Sequence, residues 1–73
     1  MNRQEELADF YSKEYAPLEG STVISVLIDN ETDEGEVYVG LLMQCKDGKK
    51  RIAWVLRDAE GNGPGHLDVL EVE

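Results

Sequence analysis

The chain has 73 residues, 16 acidic against 7 basic, and a formal net charge of -9. That length supports one small domain, residues 1–73, and leaves too little interior for a second domain or a deep substrate cavity. At 41% hydrophobic the sequence folds rather than forming a disordered acidic tail, and one cysteine with one histidine excludes both an internal disulfide and a zinc tetrad.

Met1 to Phe10 carries acids and lacks the basic start and apolar run of an export signal. The longest apolar stretches, Val26–Ile28 and Val39–Met43, fall far short of the roughly 20 residues that cross a bilayer. The expectation is a cytoplasmic protein that does not enter a membrane.

From about residue 3 to 16, Leu7, Phe10, Tyr11 and Tyr15 recur at spacings of three and four, the stripe of an amphipathic helix. Asn2 suits its N-cap, early acids complement the helix dipole, and Pro17 ends it. The aromatic stripe is expected to attach the helix to a sheet.

A β-branched run then predicts a first strand at about 22–29, and Asp29 to Glu36 forms the loop to a second at about 37–45. Lys46-Asp47-Gly48-Lys49 contains an Asp-Gly pair suited to a two-residue type I′ hairpin, leading into a third strand at about 50–57. After the turn Gly61–Gly65, a fourth strand is expected at about 66–72. The fold class is therefore α+β, an N-terminal helix followed by a four-stranded antiparallel meander.

Alternation along the strands groups Ile24, Val26, Ile28, Val37, Val39, Leu41, Met43 and Cys45 with Ile52, Trp54, Leu56, Leu67 and Val69. It puts Val23, Leu27, Tyr38, Leu42, Ala53, Val55, Leu70 and Val72 on the other face, which is too apolar to be a solvated side. One helix covers one face at most. Three arrangements satisfy the other: a sheet curled into a small barrel, a homodimer through that face, or an open face that takes a partner. Gly40 in mid-strand favours the curled sheet, because a glycine within a strand often marks a bend or a close backbone approach.

The candidate chemistry is sparse. Asp29, Glu31 and Asp33 match the first three ligand positions of a calcium loop, but the glycine falls one place late and Gly40 stands where a bidentate Glu belongs. A solvated acidic loop is the expectation, with no metal. Gly61–Gly65 lacks the Lys-Ser or Lys-Thr of a phosphate loop and precedes a strand. Arg57–Asn62 resembles, over six residues, a turn of vicinal-oxygen-chelate proteins; Ala59 replaces that family's proline and its paired metal ligands are missing, so neither metal nor activity is carried over. Cys45 reads as a core residue, and no spacing brings His66 to it.

The uneven charge distribution is the main functional cue. Lys46, Lys49, Lys50 and Arg51 cluster on one hairpin, whereas Asp29, Glu31, Asp33, Glu34 and Glu36 crowd one loop. A net charge of -9 opposes direct nucleic-acid binding. The leading expectation is a non-enzymatic protein-binding or adaptor module, without cofactor, that acts through its sheet surface and basic hairpin. The alternative is an acidic mimic of nucleic acid, led by the five loop acids, that inhibits a DNA- or RNA-binding protein. A metal-assisted enzyme using Cys45, His66 or the acidic loop ranks third.

Overall fold

The structure, a computed structural model, describes residues 2–56 and 65–72. Asn2 caps helix α1 (Arg3–Tyr15), its Oδ1 accepting the Glu5 N–H at 2.8 Å and so satisfying one of the donors a helix start leaves unpaired. Glu5 and Glu6 occupy the first turn and Lys13 the last, each complementing the helix dipole; Lys13 also pairs with Asp9 at 3.0 Å. Pro17 has no N–H to continue the pattern, and the chain tightens into a 3₁₀ turn over Ala16–Leu18. Gly20, with φ of +72°, redirects it toward the sheet, and the Lys46 side chain lies where a Cβ on Gly20 would stand.

Four strands follow: β1 (Thr22–Asp29), β2 (Tyr38–Gln44), β3 (Lys50–Leu56) and β4 (His66–Val72). They form one antiparallel sheet in the order β1-β2-β3-β4, the meander expected from the sequence. The sheet is open. β1 and β4 are its two edges and do not pair with each other, so the barrel alternative is not realised. Closure requires steeply tilted strands, and four strands of seven or eight residues leave no room inside for side chains.

The β2–β3 turn departs from the type I′ expectation. That turn needs positive φ at both central residues, and no non-glycine residue among those described has one. Instead the Gly48 N–H donates to the Cys45 carbonyl at 3.1 Å, the Cys45 N–H to the Lys49 carbonyl at 2.8 Å, and Gly48 alone is left-handed, with φ of +85°. This is the pattern of a three-residue loop, Lys46–Gly48, in which a type I turn ends in a left-handed glycine. One extra loop residue shifts the register by one, pairing Leu42 with Ile52 and Gly40 with Trp54.

Because side chains alternate with period two, that shift turns β3 over relative to the expected grouping. Ala53 and Val55 share a face with Val39, Leu41, Val26 and Ile28; Ile52, Trp54 and Leu56 share the other with Tyr38, Leu42 and Leu27. A bulge between Val23 and Ser25 also moves Val23 to the Val26 face, opposite Met43. The glycine in β2 is explained by close approach rather than by a bend: a Cβ on Gly40 would stand 2.7 Å from the Trp54 ring. The indole lies across the space the glycine leaves.

Met43, Cys45 and Ala53 are the buried apolar residues among those described, so the core is thin. Helix α1 meets the sheet beside β4, the attachment expected of its aromatic stripe, but contributes no buried residue; Leu7, Phe10 and Tyr11 remain exposed. Among the described residues no helix is long and apolar enough to cross a membrane.

Gly40→Ala is expected to destabilise the fold by about 1–3 kcal/mol by forcing the indole off its neighbour. Urea unfolding of the single variant, and of Gly40→Ala with Trp54→Leu, checks this; the second substitution should recover part of the loss.

Candidate functional site

The predicted site residues fall at opposite ends of the sheet. The hairpin is organised by Asp47, whose carboxylate accepts the Lys49 N–H at 3.0 Å and two bonds from the Arg51 guanidinium at 3.2 and 2.8 Å. A planar fork against a carboxylate fixes both distance and orientation, so this pair holds the turn closed. The Arg51 guanidinium, backed by the main-chain bond from Lys49, lowers the Asp47 pKa to about 2, while Asp47 and then the Cys45 sulfur raise that of Arg51 further. Lys49 pairs with Glu71 on β4 at 3.3 Å. Two of the four hairpin bases are thus engaged within the chain, and among the described residues Lys46 and Lys50 make no ion pair.

At the other end, the β1–β2 loop folds on itself. The Glu31 N–H donates to Asp29 Oδ1 at 3.1 Å, the Gly35 N–H to the Thr32 carbonyl at 3.3 Å, and Thr32 Oγ1 to the Glu36 carbonyl at 2.6 Å. Tyr38 donates its hydroxyl to Glu34 at 3.5 Å. Asp33, Glu34 and Glu36 are solvent-exposed, and no three His, Cys, Asp or Glu side chains among the described residues converge on one point. Cys45 is buried at the hairpin end and His66 opens β4 at the loop end, so a strand length of about 20 Å separates them. The glycine-rich turn and the six-residue resemblance fall on residues 57–64, outside the described residues.

A surface not singled out by the sequence connects the two ends. Ile28, Val39 and Val55 lie in one row across β1, β2 and β3, with Val26 and then Val23 along β1 on the same face. All five are exposed, Val26 at 58% and Ile28 at 61%. No charged side chain interrupts them; Arg51 and, beside it on β4, Glu71 stand at the hairpin end of the face, the Arg51 side chain only 12% exposed and turned to Asp47. The signal for this patch was present in the excess of apolar residues over two faces, but its membership depends on the loop count and the bulge.

The β4 edge is treated differently. Tyr15 donates its hydroxyl to the Leu67 carbonyl at 3.0 Å and accepts the Leu67 N–H at 3.1 Å, occupying both main-chain groups that face outward there. Phe10, Tyr11, Glu14 and Tyr15 form one wall and His66–Val69 the other of a cleft of about 280 Å³.

Two measurements test these contacts. Tyr15→Phe should cost about 1–2 kcal/mol and speed amide exchange at Leu67, because it strands an N–H and a C=O. Asp47 has a folded pKa of about 2 against its ordinary 3.8, so its stabilisation is present above about pH 4 and is lost as pH falls through 2. The thermal stability gap between wild type and Asp47→Asn should therefore close across that window. Compared with protein-family models, with curated proteins and with solved structures, the chain finds no match.

Proposed function

We propose that the protein is a non-enzymatic binding module of the cytoplasm that engages another polypeptide through the β1–β3 side of its sheet. One observation carries the reading: Val23, Val26, Ile28, Val39 and Val55 form a contiguous exposed apolar surface on a chain of net charge -9. Contiguous apolar patches on soluble domains are characteristic of interaction sites, since exposing them to water is unfavourable. β-Branched side chains suit such contact because they have little rotamer freedom to lose on burial. The hairpin bases then act at the margin of the contact, with Lys49 and Arg51 already engaged by Glu71 and Asp47. A single thiol, with no disulfide partner in the sequence, suits a reducing compartment.

The test is site-specific photocrosslinking in the native cell. A photoreactive residue at Val26 or Val55 is expected to give a discrete protein adduct, and one at Leu70, equally exposed on the opposite face, much less. No adduct from Val26 and Val55, or equal labelling from Leu70, would overturn the reading.

A further inference from the structure

We propose that the cleft between α1 and β4 binds a small organic cation, and that its aromatic wall and two carboxylates select a guanidinium group. The cleft lies at the β4 edge, apart from the valine surface, and its ligand does not depend on what that surface engages.

The aromatic wall is ordered outward from the strand. The Tyr15 hydroxyl is fixed by its two bonds to the Leu67 main chain, at 3.0 and 3.1 Å. Tyr11, one helical turn earlier, lies almost parallel to the Tyr15 ring with centroids 5.8 Å apart, and Phe10 meets Tyr11 edge to face at 5.6 Å. Tyr15 alone ties the helix to the strand by hydrogen bonds, while Phe10 and Tyr11 keep 53% and 40% of their surface in water. Rings that neighbours hold in place but leave open offer π-faces, and these attract cations.

The acidic side chains of the cleft have no counter-charge. Glu14 lies on the helix wall and Asp68 on the strand wall, and neither makes an ion pair among the described residues. The positions three and four residues either side of Glu14 hold Phe10, Tyr11, Pro17 and Leu18, so the helix itself supplies no cation; the adjacent Lys13 is paired with Asp9. Asp68 stands opposite Trp54 of β3, and β4, as an edge strand, has no neighbour on its other side. Among the described residues no lysine or arginine lines the cleft. Like charges on two walls repel, and a cation between them relieves that repulsion.

Size and chemistry narrow the ligand. A volume of about 280 Å³ lies below the usual range of drug-sized ligands and takes a head group with a short chain. An ammonium is compact and strongly hydrated, and an open cleft does little to offset the loss of that water. A guanidinium is flat and weakly hydrated, stacks on aromatic rings and presents a fork of donors to a carboxylate, so it uses both features of the cleft at once.

The test is an NMR titration of the nitrogen-15-labelled full chain with n-butylguanidinium chloride, exchanged for sodium chloride at a constant ionic strength of about 150 mM. Saturating amide shifts confined to α1 around Tyr11–Tyr15 and to Leu67–Val69 are expected, with a Kd of about 1 mM and n-butylammonium about fivefold weaker. Glu14→Gln with Asp68→Asn, both at exposed positions, should weaken binding about tenfold. Glu5→Gln with Glu6→Gln removes the same charge from the far end of α1 and should change affinity by less than about twofold, which separates the cleft from the general attraction of a chain of net charge -9. Tyr11→Leu should weaken binding about threefold, and Tyr11→Phe, which keeps the ring, should restore it. Shifts that do not saturate, or that spread over the sheet, overturn the site, as does an equal loss from the Glu5 and Glu6 pair. An n-butylammonium that binds as tightly, or a Tyr11→Leu variant with unchanged affinity, overturns the selection of guanidinium by ring and carboxylate.

Discussion

The three-residue turn at Lys46–Gly48, clamped by Asp47 and Arg51, sets the register of the two central strands, and every later property of the sheet depends on that register. Gly48 supplies the left-handed residue, and the Asp47 carboxylate ties the turn to the first residues of β3 through Lys49 and Arg51. A side-chain period of two means that adding or removing one loop residue exchanges the two faces of β3. In the observed register Trp54 meets Gly40, the one position in β2 with no side chain, and Val55 joins Val39 and Ile28. A shorter turn would put the indole opposite Leu41 and leave Gly40 without a ring to cover it.

The sheet's two edges show contrasting treatment. At β4 the Tyr15 hydroxyl satisfies the outward N–H and carbonyl of Leu67, and Asp68 and Glu71 add charge along the strand. Such features discourage an additional strand. At β1 the run Thr22–Ile28 has no charged residue and relies on the bulge near Ile24 to twist its edge. The same strand carries Val23, Val26 and Ile28 toward the open face, so the molecule concentrates its exposed apolar surface at its β1 side.

Energetically this is a domain with little to spare. Among the described residues, three buried apolar side chains and many half-buried ones provide a fraction of the burial available to a larger fold. Local devices are correspondingly prominent: the Asn2 cap, the Asp9–Lys13 pair, the Asp47 fork and the Tyr15 bridge each fix a short segment in place. Surface ion pairs contribute modestly, so these devices specify geometry more than they add stability.

The helix, the four strands and their order were determined by sequence alone, because capping, proline placement and β-branched runs act within a few residues of one another. Asn2 and Pro17 bound the helix as their chemistry requires, and the charge separation between loop and hairpin follows directly from residue order. The excess of apolar residues for one buried face was also visible, which made an interaction surface expected without showing where it lies. Tertiary structure alone decided the membership of that surface. The Asp-Gly pair is compatible with turns of two or three residues, and the hydrogen bonds across Cys45, Gly48 and Lys49 select the longer one. Likewise the helical stripe gave no direction of docking: the distant main chain of Leu67 holds Tyr15 at the β4 edge and leaves Val26, Ile28, Val39 and Val55 in water.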